Sequence, residues 1–222
     1  MQDWIRTLYA YEPMLEMGHG QRAEDLNLGL GWLYYALARA LRPSCVVVIG
    51  SWRGFVPLVL ARGLSENLES SDLIFIDPSL VDDFWADPVA VREHLSRFGG
   101  ERIRHYPMTT QEFVRTEDFR ALGEIGLLFV DGYHTAEQAR IDHQSFEALL
   151  GTNGIALFHD SIRPQVSKMY GPDRHYTHSV HEYMAELRGS GAYQVFDLPM
   201  ASGITLVQRF AAQESRLVDV PA

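Results

Sequence analysis

The sequence predicts an α/β fold: a seven-stranded, mostly parallel sheet with helices on both faces and a C-terminal antiparallel hairpin. Three observations predict it. Short apolar runs of strand length alternate with helical segments along the chain. The runs are apolar on both faces, as in a parallel sheet covered on both sides. The last two runs are separated only by PMAS (199–202), too short for a parallel crossover, so they should pair as a hairpin.

The elements follow in order. A helix over 22–41 (RAEDLNLGLGWLYYALARAL) precedes the first strand, and Pro43 stops it. CVVVIG (45–50) is the first strand. Pro57 falls in the first turn of the next helix, where a missing N–H does little harm. LIFID (73–77) is the second strand. Asp87-Pro88 supplies an N-cap and a first helical proline, and Gly99-Gly100 closes that helix. RIRHYPM (102–108) is the third strand and IGLLFVD (125–131) the fourth. Thr109 to Glu112 and Thr135 to Gln138 fit the capping box. Gly151 and Asn153-Gly154 end the helix that begins near Thr135, and GIALFHD (154–160) is the fifth strand. A helix near 180–188 leads to AYQVFDL (192–198) and GITLVQR (203–209). Strand, helix, strand in repetition implies right-handed crossovers.

Composition narrows the function. At 222 residues, 46% apolar and 22% charged, the chain suits one globular domain. No apolar run approaches the roughly 20 residues of a membrane helix, and MQDWIRTLYAYEPMLEMGHG lacks the pattern of a secretory signal. Lone Cys45 heads an apolar strand and reads as a buried, inert thiol. A cytoplasmic protein is expected. The formal charge of −10 argues against nucleic-acid and membrane partners and for a small-molecule substrate. The apolar N-terminal helix could serve a homo-oligomer interface.

In an open sheet of this kind ligands bind beyond the carboxyl ends of the strands, near the switch in strand order. Gly50-Ser51-Trp52-Arg53-Gly54 forms the first such loop. It is either a cofactor loop or a plain strand-to-helix turn. Asp77 ends the second strand, where a carboxylate can accept both hydroxyls of a ribose or can cap the loop before Pro78. Asp131, His159 and Asp160 end neighbouring strands, and two carboxylates with an imidazole suit a divalent cation: Mg²⁺ first, then Mn²⁺ or Fe²⁺. Asp131 could instead cap the turn at Gly132, and His159 could point beneath the sheet. His134 follows where a helix begins and could face the same pocket as a neutral proton acceptor.

Together these residues resemble the class I S-adenosylmethionine-dependent methyltransferases, a Rossmann-like fold. Within that class they resemble the small bacterial O-methyltransferases that include macrocin-type sugar methyltransferases and cephalosporin-hydroxylase-like proteins. The resemblance spans roughly 40–209 and is most specific in FVDGYHTAEQARIDHQSFEALLGTNGIALFHDS (129–161). It implies an S-adenosylmethionine-binding domain over 43–210; outside it the residues read as an N-terminal helical segment or lid over 1–42 and a tail over 211–222 that is either loose or a dimer contact. It implies that Gly50, Ser51, Trp52 and Gly54 line the cofactor's methionine end, that Asp77 holds the ribose, and that Met108 and Thr109 lie near the adenine. It implies further that Asp131 borders the cofactor and holds a metal with His159 and Asp160, that His134 is the general base, and that Asp142 is structural.

Three departures stand out. The family has an acidic residue where Val48 stands and a glycine where Trp52 stands. Position 159, often acidic in metal-binding members, is His159 here. The implied activity is methyl transfer to a hydroxyl of a sugar, catechol or natural product. Rival readings are a methyltransferase-fold protein that binds without catalysis, and a nicotinamide-dependent oxidoreductase, which would want three glycines in the first loop. The long segment 161–179 (SIRPQVSKMYGPDRHYTHS) is expected to be a lid or specificity loop, with His175, Tyr176 and His178 facing the substrate or solvent. HGQR (19–22) is expected either to close over the pocket or merely to precede the first long helix.

Overall fold

In the computed structural model, which describes residues 1–168, 173 and 175–210, every predicted strand is present. They are β1 (Cys45–Ile49), β2 (Asp72–Ile76), β3 (Ile103–Tyr106), β4 (Ile125–Val130), β5 (Leu150–His159), β8 (Tyr193–Leu198) and β9 (Ile204–Arg209). The sheet order is β3-β2-β1-β4-β5-β9-β8. β1 through β5 pair in parallel, and β9 joins β5 and β8 antiparallel. A Rossmann-like sheet closed by a C-terminal hairpin is therefore what this sequence builds. No helix is long and apolar enough to cross a membrane among the described residues.

The double-sided burial has a simple origin. Side chains alternate across a strand, so each apolar run feeds two cores. Val46, Val48, Leu73, Phe75, Leu127 and Phe129 face one way, toward α1 (Gln2–Tyr9), α2 (Gly31–Leu41), α3 (Phe55–Ser65) and α4 (Pro88–Arg97). Val47, Ile49, Ile74, Ile76, Leu128 and Val130 face the other way. They meet Phe113 of α5 (Thr110–Phe113), Phe146 of α7 (Ala136–Glu147) and Met184 of α8 (Val180–Ser190). The short α6 (Glu117–Arg120) leads into β4. Ile5, Leu8 and Met14 of the N-terminal segment are part of the first core.

Caps are where the sequence places them. Thr109 Oγ1 accepts from Glu112 N at 3.3 Å while Thr109 N donates to Glu112 Oε2 at 2.8 Å, a complete capping box. Thr135 Oγ1 accepts from Gln138 N, but the Gln138 amide turns inward to Asp142 instead of closing its box. Asp87 accepts from Val89 N ahead of Pro88.

Three expectations need correction. The helix expected over 22–41 begins only at Gly31. Residues Arg22 and Asn27 instead pair across a tight turn, with Leu26 at φ 55° and Gly29 at φ 57°. The cause is local: Asn27 Oδ1 accepts from Gly29 N at 2.8 Å, and a Cβ on Gly29 would lie 2.1 Å from the His19 carbonyl oxygen. α7 ends at Glu147, so Gly151 and Asn153-Gly154 do not close it but lie in β5, which starts at Leu150 rather than 154 because a register shift lets Leu150 pair with Ile125 ahead of the main ladder. The segment 161–179 is not plain loop: β6 (Gln165–Ser167) and β7 (Tyr176–His178) form an antiparallel pair. The expected tail over 211–222 lies outside the described residues.

Candidate functional site

Strand order reverses between β1 and β4, so their following loops part and leave a crevice at the carboxyl end of the sheet. A cavity of about 590 Å³ occupies it, within the range that holds drug-sized ligands. Gly50, Ser51, Trp52, Asp77, Met108, Thr109, Asp131, His134, His159 and Asp160 all line it. Gly54, the remaining candidate, does not line it.

The glycines of the first loop have packing reasons. Gly50 sits at φ 71°, and a Cβ there would lie 2.3 Å from the Asp131 carbonyl oxygen. It lets the β1 and β4 loops touch. Gly54, at φ 87°, faces the edge of the Trp85 ring. Ser51 ties the loop to both neighbours: its N–H donates to Asp77 Oδ2 at 3.2 Å, and its Oγ accepts from Val56 N at 3.3 Å. Trp52 adopts φ 27°, and its carbonyl accepts from Trp85 Nε1 at 2.8 Å. The Arg53 guanidinium lies over the Trp52 ring at 4.6 Å and over Phe84 at 4.4 Å, and pairs with Asp82. The indole is thus clamped as a wall of the cavity. Its Nε1 is buried without a hydrogen-bond partner. Val48, by contrast, is fully buried in the core.

Asp77 accepts from Ser51 N and, at 2.8 Å, from Ser79 N. Each carboxylate oxygen keeps a lone pair for a ligand. Burial outweighs these bonds and raises its pKa to about 6. Thr109 spends its hydroxyl on the α5 cap and presents its flank to the cavity.

The cavity is also lined by a cluster of imidazoles and carboxylates. His159 shares the sheet face of Leu157, yet it stands at the rim and reaches the cavity rather than the space beneath the sheet. Its Nδ1 lies 2.8 Å from Asp131 Oδ1 and 3.7 Å from Asp160 Oδ1. Burial favours the neutral ring, but Asp131 and Asp160 prevail and raise its pKa to about 9. Asp160, at φ 52°, accepts from Gln165 Nε2 at 3.2 Å and lies 3.1 Å from His178 Nδ1. Burial opposes its charge, yet His178, His159 and His134 hold it well below the usual carboxylate range. His134, at φ 44°, lies 3.9 Å from both Asp131 and Asp160, and burial lowers its pKa. Its ring stacks on His178 at 4.3 Å. Two non-glycine residues in the left-handed region at one site mark a locally strained backbone.

Sequence reasoning gave two of these residues no role in the cluster. His178 arrives on β7, from the segment expected to be a lid; His175 of that segment is exposed, and Tyr176 stacks on Tyr133 at 5.0 Å. His19 arrives from the N-terminal segment, with its Nε2 3.9 Å from Asp131 Oδ2. Asp142, in α7, accepts from Thr110 Oγ1 at 2.5 Å and Gln138 Nε2 at 2.8 Å and binds α7 to α5.

A family model described as a methyltransferase domain matches residues 47–161, which hold most of β1, all of β2 through β5 and most of the cavity wall. The chain belongs to this methyltransferase-domain family. Solved structures share its fold. The O-methyltransferase TomG from Streptomyces achromogenes, solved with SAM, aligns with TM-score 0.66 at 14% identity, covering 95% of this chain and 91% of that one. An O-methyltransferase from Bacillus cereus, solved with SAH, gives TM-score 0.65 at 12% identity over 92% and 90% of the two chains. The SAH-bound methyltransferase PaMTH1 from Podospora anserina gives 0.62 at 17% identity over 95% and 89%. No curated protein sequence matches the chain. The methyltransferase domain here therefore shares the sheet of these structures, while its polar cluster draws on residues outside the matched span, His19 and His178.

Proposed function

We propose that this methyltransferase domain transfers a methyl group from S-adenosylmethionine to a hydroxyl of a small molecule: a sugar, a catechol or a natural product. The observation that carries the reading is one cavity lined both by a ribose-type acceptor, Asp77, and by a proton-accepting cluster. The residues fit the cofactor. Asp77 offers paired acceptor oxygens, and Trp52 lines the same cavity. The resemblance of solved structures bound to SAM or SAH supports the same choice.

S-adenosylmethionine, when bound, supplies an electrophilic methyl whose bond to sulfur breaks as the bond to oxygen forms. The chain has to hold donor and acceptor in line and take up one proton. His134 is the base in this reading. Burial keeps it neutral and able to accept the hydroxyl proton, and Asp131 and Asp160 at 3.9 Å stabilise the imidazolium that results. Asp131, His159 and Asp160 are the proposed holders of a divalent cation, which when bound would lower the hydroxyl's pKa. The orphaned, buried Nε2 of His19, 3.9 Å from Asp131, and His178 Nδ1, 3.1 Å from Asp160, fit such an ion. The neutral outer surface of the Tyr133–Tyr176 pair suits a substrate ring at the rim.

The reading is tested by calorimetric titration of S-adenosylmethionine and S-adenosylhomocysteine into the full chain and into Asp77→Ala. Micromolar binding that Asp77→Ala weakens at least about tenfold supports it. Absence of binding sinks it and favours a fold that binds without catalysis, the reading suggested by the buried, apolar Val48.

A further inference from the structure

His19 is 1% exposed, and its Nε2 has no hydrogen-bond partner. An orphaned polar nitrogen at that depth costs stability unless something occupies it. The ring is held with care. Its Nδ1 meets the Tyr34 hydroxyl at 3.0 Å, and its face stacks on Phe55 at 5.2 Å. The backbone is fixed as well: His19 O accepts from Leu30 N at 2.8 Å, and Gly29 approaches so closely that no side chain fits there. So Nε2 is aimed, and it is aimed at Asp131.

His159 is held in the same manner. Its Nε2 meets Ser202 Oγ at 2.8 Å, and Ser202 in turn donates to Gly18 O, next to His19. Both imidazoles therefore spend the distal nitrogen on a hydroxyl and turn the other toward one carboxylate. That is the outer-shell arrangement by which proteins fix the tautomer of metal-ligating histidines. The separation of His19 Nε2 from Asp131 Oδ2, 3.9 Å, is too long for a hydrogen bond. It matches two ligands on one ion, which at bond lengths of about 2.0–2.2 Å stand roughly 3–4.4 Å apart. One donor atom each from His19, Asp131 and His159 lies within 4.8 Å of the others.

We propose that His19 is a metal ligand, and that His19, Asp131 and His159 form a two-histidine, one-carboxylate site selective for an imidazole-binding transition metal ion over Mg²⁺. The inference rests on the cation role proposed for Asp131 and His159 and extends it to a third ligand and to the class of ion. Mg²⁺ favours oxygen ligands and keeps its waters, whereas imidazole nitrogen suits zinc, iron and their neighbours. His159 exchanges its bond to Asp131 Oδ1 for the ion and loses its Nδ1 proton to solvent on binding.

The test is metal binding by the full-length chain, stripped with chelator and titrated with Co²⁺ or Zn²⁺ in millimolar Mg²⁺. Retained metal is measured after dialysis by plasma mass spectrometry, and the Co²⁺ absorption spectrum reports nitrogen ligation. Expected are one equivalent bound against excess Mg²⁺ and at least a tenfold loss of affinity, roughly, in His19→Gln. Circular dichroism verifies that the variant folds. If it does not, Tyr34→Phe carries the test, because it frees the ring without removing a ligand; a loss of several-fold is expected. Failure to retain Co²⁺ or Zn²⁺ against Mg²⁺ overturns the proposal, as does unchanged affinity in the folded His19 variant or in Tyr34→Phe. A parallel titration with S-adenosylhomocysteine separates the two ideas. If it binds but the chain retains no Co²⁺ or Zn²⁺ against Mg²⁺, only the metal site is sunk; if metal is retained but it does not bind, only the methyltransfer reading is sunk.

Discussion

His159 bonds through Nδ1 to Asp131 Oδ1 at 2.8 Å, joining the ends of two neighbouring parallel strands inside the cavity wall. Both partners are almost fully buried, so the pair is a commitment: losing one partner strands the other's charge. Asp131→Asn should lower stability by about 3 kcal/mol, the low end for a broken buried pair, because Asp160 stays close to His159. Denaturant unfolding of the two proteins checks it. A difference under about half a kcal/mol would mean that solvent reaches the pair.

Gly50 makes a sharper prediction than its place in a glycine-containing loop suggests. Gly50→Ala adds a Cβ at φ 71°, 2.3 Å from a backbone oxygen that cannot move without parting β1 from β4. We expect a loss of about 3 kcal/mol or more, or an insoluble chain. Gly123→Ala is the control, since a Cβ there meets nothing within 4 Å; it should change stability by less than about 0.5 kcal/mol. Thermal unfolding of both variants decides the matter, and equal effects would contradict the close approach at Gly50.

How much of this the sequence carries depends on the range of the interaction. The strands are legible because burial on both faces writes itself as an unbroken apolar run, as in Val46–Ile49. The caps at Asp87, Thr109 and Thr135 are legible because a side chain bonds a backbone group two or three residues on. The ends of the strands place Asp77, Asp131 and Asp160 in the crevice by topology alone. His19 is different. It lies 140 residues before His159, in a segment whose turn depends on Gly29 meeting the His19 carbonyl; HGQR (19–22) reads as a segment that either closes over the pocket or precedes a helix, and no local pattern puts the imidazole in the cluster. The turn at 22–30 was hidden by apolar spacing that also suits a helix, and β6 and β7 are three residues each, too short to show alternation.

Asp77 should make cofactor binding depend on acid. Burial raises its pKa to about 6, and a protonated carboxyl keeps fewer acceptor sites for ribose hydroxyls. Affinity for S-adenosylhomocysteine should therefore be constant above pH 7 or so and weaken as pH falls through about 6. Asp77→Asn, which cannot ionise, should bind at least about tenfold more weakly at pH 8 and lose most of the pH dependence. Calorimetry across that range reads both effects. A pH profile that Asp77→Asn leaves intact would assign the titration to another group.

Asp142 gives the complementary prediction for stability. It is buried in α7, it accepts from Thr110 and Gln138 through Oδ1, and burial still raises its pKa to about 6. The folded chain thus holds a proton there that the unfolded chain, with an ordinary carboxyl near 4, releases. Its contribution to stability is complete below about pH 4 and is lost as pH rises through about 6. Asn keeps the Oδ1 acceptor for both donors and carries no charge to bury. Asp142→Asn should consequently be more stable than the parent at pH 8, on the order of 1–3 kcal/mol, and closer to it at pH 4. Urea unfolding at the two pH values measures the difference directly. A variant less stable at pH 8 would mean that the ionised carboxylate, not the hydrogen-bond acceptor, is what α5 and α7 need between them.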